Sequence, residues 1–286
     1  MTHPVAELIR DARARLAAVG IDGPDAELLA AWASGSSLGE LRIDMALGRT
    51  LAPDALARFG VAVTRRLARE PLQHITGLAP FRHVELAVGP GVFTPRPETE
   101  LLVDVAIDHM RRRDGTKLVL DVGTGSGAVA ISIARESDAR VIAVEASAAA
   151  FTWARRNIMA LAPETVLLHA DARDTEALAA VGVLPGSLAA LVSNPPYVPH
   201  AAVPADHEVR HHDPAAALYS GADGLDLIRD LIALAATLLE PEGLAAFEHT
   251  EEQGARVRQL LETGGFRDAR THADLSGRDR VTAAVR

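Results

Sequence analysis

Near the N-terminus the apolar positions recur at the spacing of one helix face. Val5, Leu8, Ile9, Ala12, Leu16 and Val19 form the first such stripe, and Gly20 stops it. A second helix is predicted to start near Asp22, with Pro24 in its first turn and Leu28, Leu29 and Trp32 along it. Ser37 and Glu40 have capping-box spacing ahead of Leu41 and Met45. A longer helix follows Pro53, carries Leu56, Phe59, Val63 and Leu67, and is closed by Pro71. No strand pattern interrupts this stretch, so a small helical bundle is expected.

The period changes after Gly77. Val84-Glu85-Leu86-Ala87-Val88 alternates, and Gly89-Pro90-Gly91 then separates it from Val92-Phe93. That predicts a hairpin turning at the Gly-Pro-Gly segment. Beyond Pro97 the chain alternates helix and strand. Short apolar strands are expected at 118–120, 141–144, 166–168, 188–192 and 244–247, with helices at 128–135, 147–161, 225–239 and 251–261. Residues 266–271 and 280–285 supply two last strands. This pattern predicts an α/β fold: a Rossmann-like, mostly parallel sheet of seven strands behind a small all-helical N-terminal domain. The expected boundaries are a helical domain over 1–75, a β-hairpin linker over 76–95 and the α/β domain over 96–286.

Composition narrows the class. Of 286 residues 48% are apolar but only 3% aromatic, so helices should pack closely around small side chains. A net charge of -9 speaks against broad binding of nucleic acid. The absence of cysteine removes disulfides, thiolate catalysis and cysteine–zinc sites. The N-terminus reaches Glu7 too soon for a secretory signal, and the apolar stretch at 225–239 is broken by Asp226, Arg229 and Asp230. A soluble, cytoplasmic monomer with no membrane association is expected. His211-His212-Asp213 is not expected to bind metal, since adjacent histidines do not readily face one ion, and a mobile substrate-facing loop is predicted there. Arg111-Arg112-Arg113 suits a solvated helix end.

Asp121-Val122-Gly123-Thr124-Gly125-Ser126-Gly127 lies between a predicted strand and a predicted helix. Glycines there let backbone turn sharply and approach a ligand closely. Gly123, Gly125 and Ala128 also satisfy a dinucleotide fingerprint, so a nicotinamide cofactor is a competing reading. Glu145, at the end of the next strand, could accept hydrogen bonds from both ribose hydroxyls of an adenosine. Asp171, followed by Ala172, falls where an adenine amino group would need an acceptor.

Ser193-Asn194-Pro195-Pro196-Tyr197 follows the fourth strand, which should lie beside the first across the topological switch point. Two prolines fix the backbone and remove two N–H donors, leaving carbonyls as acceptors. An amide or exocyclic amine is a poor nucleophile because its lone pair is delocalised. The Asn194 side-chain oxygen and the Pro195 carbonyl could hold its two hydrogens and favour a more pyramidal nitrogen, aiming the lone pair for in-line displacement. Tyr197 could stack on the planar acceptor.

The glycine loop together with Asn194-Pro195-Pro196-Tyr197 resembles class I amino-methyltransferases. With 71–77, 93–100, 221–226 and Phe247-Glu248-His249 added, the chain from about Leu41 onward is similar to the release-factor glutamine methyltransferases. That resemblance implies S-adenosylmethionine as cofactor, S-adenosylhomocysteine as product, and peptide-chain release factors as protein substrates. The target is the side-chain nitrogen of glutamine in their Gly-Gly-Gln loop, and the helical domain docks the substrate. The cofactor site carried over comprises Asp121, Gly123, Thr124, Gly125, Ser126, Gly127, Glu145, Asp171, Ala172 and Asn194. Asn194, Pro195, Pro196 and Tyr197 form the catalytic and acceptor clamp, and Phe93 walls the acceptor pocket. Arg96 braces loops. The chain departs from the family in three places: Glu145 stands where aspartate is usual, Ala172 where tryptophan is common, and Thr250 where glycine is common. An N6-adenine methyltransferase acting on DNA or RNA would use the same clamp on a flipped base. A nicotinamide dehydrogenase would leave the clamp without a role, and a non-catalytic adaptor is a third alternative.

Overall fold

In the computed structural model, which describes residues 3–115, 117–204 and 206–286, the N-terminal prolines mark helix starts. Pro4 precedes α1 (Val5–Ala17), Pro24 precedes α2 (Asp25–Ser34), and Pro53 is the first residue of α4 (Pro53–Leu67). Between the last two, α3 (Leu38–Ala46) carries the predicted capping box: Ser37 Oγ accepts from the Glu40 N–H, and the Glu40 carboxylate accepts from the Ser37 N–H. Helix α5 (Leu72–Thr76) follows Pro71, and Gly77 ends it in the left-handed region. Val5, Ile9, Ala12 and Leu16 of α1 pack with Leu29, Ala30, Phe59 and Val63 in one core. Helix α2 buries Ala26, Ala30, Ala31 and Ala33 around most of its circumference, so its alanines serve close packing rather than amphipathicity.

These helices belong to one unit, Met1–Leu78 with Pro204–His212; the other is Ala79–Val203 with Asp213–Arg286. The segment expected as a loop at His211-His212-Asp213 is here the end of a helix, α10 (His207–His212). An ion-pair network explains the order. Glu208 takes Arg66 Nη1 at 2.8 Å and Arg69 Nε at 3.0 Å, while Arg66 Nε reaches Asp25 at 2.7 Å. Sequence periodicity could not show this, because Glu208 lies far along the chain from its partners.

The second unit opens with β1 (Leu78–Phe81) and β2 (Val84–Ala87), a two-stranded sheet. Its turn is Arg82-His83, not the predicted Gly89-Pro90-Gly91. Arg82 accepts a φ of 49° and is held there by its own contacts. Its N–H donates to Glu100 at 2.9 Å, and its guanidinium reaches Glu136 at 2.6 Å and Asp104 at 2.7 Å. Gly89 answers a different demand, since a Cβ there would meet the Trp153 ring at 2.6 Å. Phe81, Leu86, Val88 and Val92 lie in this unit's core, so the hairpin is part of the α/β unit's packing.

A short 3-10 turn, Pro97–Thr99, leads into α6 (Glu100–Arg111). Then follow β3 (Leu118–Val122), α7 (Ala128–Glu136), β4 (Arg140–Glu145), α8 (Ala148–Leu161), β5 (Val166–His169), α9 (Thr175–Ala180) and β6 (Leu188–Ser193). Beyond α10 come α11 (Asp226–Leu238), β7 (Leu239–Glu248), α12 (Gly254–Thr263), β8 (Arg267–Ala273) and β9 (Asp279–Val285). The seven strands order as β5-β4-β3-β6-β7-β9-β8, the first five parallel and β9 antiparallel to both neighbours. Both faces are covered: Val119 and Val141 contribute to one apolar cluster, Leu118, Leu120 and Ile142 to the other. The direction of winding reverses between β3 and β6, whose carboxyl ends are therefore adjacent. Among the described residues no helix is long and apolar enough to cross a membrane.

Candidate active site

The loop after β3 is shaped by a buried acid. Asp121 Oδ2 accepts from Thr124 Oγ1 at 2.6 Å and from the Ala130 N–H at 3.1 Å. Burial pushes its carboxyl up to about 7 against the pull of those two hydrogen bonds. The Gly123 and Thr124 N–H groups both donate to the Val144 carbonyl, at 2.9 and 3.1 Å, tying the loop to β4. Gly123 and Gly125 have φ of 69° and 59°, a region that costs other residues energy. Gly127 does not line the cavity described below. It starts α7 at φ 87°, where a Cβ would sit 3.1 Å from Ile131 Cδ1.

Glu145 ends β4 beside this loop. Its Oε2 accepts from the Gly125 N–H at 2.9 Å and its Oε1 from the Ser147 N–H at 2.8 Å. Each oxygen keeps a further lone pair for a ligand. Asp171 follows β5, but its carboxylate is engaged by Arg173, with Nη2 at 2.6 Å and Nε at 2.9 Å. That pairing holds its pKa below the usual aspartate range. Ala172 beside it is buried against the core.

At the end of β6 the Ser193 hydroxyl donates to the Val122 carbonyl at 2.7 Å, locking β6 to β3 where the clamp begins. Asn194 Nδ2 donates to Thr99 Oγ1 at 3.1 Å, and its Oδ1 is engaged by none of the described residues. Tyr197 Oη donates to Glu248 Oε1 at 3.4 Å, and burial raises the phenol well above its ordinary pKa. The Tyr197 carbonyl accepts from Gln253 Nε2 at 3.0 Å. A Cβ on Gly224 would stand 2.1 Å from that carbonyl, so only glycine fits there. Asp121, Gly123 to Ser126, Glu145, Asp171, Ala172, Asn194 to Tyr197 and Phe93 all line one cavity of about 310 Å³, with Thr99 and Arg173 among the other walls.

Two family models match the chain. Residues 7–77 match the family described as PrmC N-terminal domain, and residues 84–212 the methyltransferase small domain. The chain is 45% identical to the release factor glutamine methyltransferase of Streptomyces coelicolor, over 96% of each chain. It is 42% identical to that of Corynebacterium glutamicum, over 97% of each. The chain belongs to the release factor glutamine methyltransferases. Among solved structures, a methyltransferase from Pyrococcus furiosus shares the fold at TM-score 0.51 and 17% identity, covering 79% of this chain and 96% of that one.

In this member of the family, Phe93 is part of a braced wall. The Arg96 guanidinium lies 5.4 Å from the Phe93 ring centroid and pairs with Asp213 at 3.1 Å. Three buried polar residues have no role of their own in the sequence: Thr99 and Glu248, seen there only within longer stretches, and Asn157. Thr99 and Glu248 stand behind the clamp. Asn157 accepts from the Ala87 N–H at 2.8 Å and donates to the Ala87 and Ser126 carbonyls at 2.9 and 2.8 Å, joining the hairpin to the glycine loop. A signal existed for Asn157, since it sits beside Ile158 on the apolar side of a helix where a polar residue needs a reason.

Proposed function

We propose that this chain methylates the side-chain amide nitrogen of the glutamine in the Gly-Gly-Gln motif of peptide-chain release factors, using S-adenosylmethionine. The observation that carries the reading is the Asn194–Thr99 hydrogen bond, which leaves the Asn194 Oδ1 as an acceptor on a wall of the cavity that also holds the glycine loop and Glu145. The cavity fits the cofactor. The glycine loop has positive φ and no Cβ at Gly123 or Gly125, and an acid stands at the end of β4 for ribose hydroxyls.

S-adenosylmethionine, when bound, supplies an electrophilic methyl carbon and leaves as S-adenosylhomocysteine. The chain's own residues hold and orient. Gly123 to Ser126 accommodate the methionine end, Glu145 the ribose, and Asp171 with Ala172 the adenine. Asn194 Oδ1 and the Pro195 carbonyl accept from the two amide hydrogens of the acceptor, so its nitrogen presents its lone pair to the methyl carbon. Once methylated the nitrogen is positively charged and acidic, and it then releases one proton to water, so no strong base is needed. Phe93 and Tyr197 flank the planar amide, and the helical unit docks the release factor in the cytoplasm. Methyl transfer from labelled cofactor to a Gly-Gly-Gln peptide, with none to duplex DNA and no competition by NADH, supports this reading. Transfer to DNA adenine instead would refute it.

A further inference from the structure

Two stretches that line the cavity lie outside helices and strands. One follows β2 and brings Gly91, Phe93 and Pro95 to the wall; the other is the glycine loop with Ser126. A single side chain grips both. Asn157 on α8 is 3% exposed, and its whole amide is engaged by backbone. Its Oδ1 accepts from the Ala87 N–H at 2.8 Å, while Nδ2 donates to the Ala87 carbonyl at 2.9 Å and to the Ser126 carbonyl at 2.8 Å. Trp153, one turn earlier on α8, adds a second hold. Its ring leaves no room for a Cβ at Gly89, and its indole N–H donates to the Pro90 carbonyl at 3.3 Å.

Each bond meets a need that the local backbone leaves open. In its own sheet β2 has β1 alone beside it, and at Ala87 the Asn157 amide takes the place of a second neighbour, exchanging one donor and one acceptor as a strand would. The Ser126 carbonyl precedes α7. In a continuous helix it would accept from the N–H four residues on, but the Ala130 N–H donates to Asp121 Oδ2. Asn157 supplies a donor instead. The backbone leading to Phe93 and the backbone of the glycine loop therefore take their positions from one amide group. The Asn194 clamp is anchored differently, through Ser193 to β3 and through Thr99.

We propose that Asn157 is a positioning residue that sets the cofactor loop and the acceptor-pocket wall together, touching neither ligand itself. The proposal rests on the methyl-transfer reading for the identity of the two ligands. Asn157→Leu is close in size and removes all three bonds. Asn157→Asp keeps the bond from the Ala87 N–H and turns an oxygen toward the two carbonyls. Met110→Ala, buried on α6 and off the cavity, is the control for lost stability alone. All are made in the whole protein with Trp32→Phe, so that Trp153 is the one tryptophan left. In both Asn157 variants S-adenosylhomocysteine affinity is expected to fall about tenfold and the KM for a Gly-Gly-Gln peptide to rise by about as much. Trp153 emission should move to longer wavelength. The kcat at saturation should stay within roughly threefold of wild type, because the Asn194 clamp keeps its anchors. Met110→Ala should change neither affinity, KM nor emission. If Asn157→Leu does not fold, Asn157→Asp decides alone. Wild-type affinity and emission in the Asn157 variants would overturn the proposal, whatever happens to kcat. Lost affinity with an unchanged peptide KM would overturn it too, since Asn157 would then serve one subsite. A wild-type protein that binds S-adenosylhomocysteine but leaves the peptide unmethylated would refute the acceptor assignment instead, while affinity and emission would still decide the role of Asn157.

Discussion

Asn194 and Thr99 are joined by a hydrogen bond of 3.1 Å in which the amide donates and the hydroxyl accepts. Removing the amide removes a preorganised acceptor but none of the glycine loop or Glu145. Asn194→Ala is therefore expected to lower kcat by about a hundredfold or more while leaving cofactor affinity within roughly twofold. Initial rates paired with calorimetric titration of the cofactor check this. A parallel loss of affinity would place Asn194 in cofactor binding instead.

Glu145 joins the strand end to the loop through two backbone N–H groups, from Gly125 and Ser147. Glu145→Ala removes the ribose acceptor and unties the loop together. Cofactor affinity should fall by about tenfold or more, the equivalent of about 1.4 kcal/mol. Titration calorimetry with S-adenosylhomocysteine measures it without turnover.

Asp121 offers a stability test with a definite sign. Burial raises its carboxyl from 3.8 to about 7, so the folded state disfavours its charge. Its stabilising contribution is complete below the unfolded value and is lost as pH rises through the folded one. Asp121→Asn keeps the shape and does not titrate. Relative to wild type, the variant should therefore gain stability as pH rises from about 4 to about 7, by an amount of order a few kcal/mol. Urea denaturation across that range checks it; a difference independent of pH would contradict the account.

Arg82 holds a left-handed turn by its pairing with Glu136, Asp104 and Glu100. Arg82→Ala keeps the unfavourable φ, loses the pairing, and leaves Glu136 half-buried without its partner. A loss of about 2 to 3 kcal/mol is expected in chemical denaturation.

The parallel sheet was legible in the sequence because β3, β4 and β6 are buried on both faces and read as unbroken apolar runs. The clamp was legible because a strand, Asn194 and two prolines adjoin in sequence. What stayed hidden was set by partners far along the chain. The turn at Arg82 depends on Glu100, Asp104 and Glu136, and α10 on Arg66 and Arg69. Gly89-Pro90-Gly91 does turn, with the Val92 N–H donating to the Gly89 carbonyl at 3.4 Å, but it joins no pair of strands, and Trp153 and Ala149 also leave no room for a side chain at Gly89 and Gly91. Thr99 and Glu248 were visible only as parts of wider stretches, since nothing local says that they share Asn194 and Tyr197. The free acceptor expected at Asp171 is instead paired with Arg173, a neighbour whose reach back to residue 171 the sequence did not disclose.

The central claim is methyl transfer to one glutamine. A full-length release factor is incubated with this protein and isotope-labelled S-adenosylmethionine, then digested and mapped by tandem mass spectrometry, with Asn194→Ala in parallel. One labelled methyl on the side chain of the Gly-Gly-Gln glutamine, present with wild type and lost with Asn194→Ala, is the predicted result. Label on another residue, or equal labelling by both proteins, would contradict it.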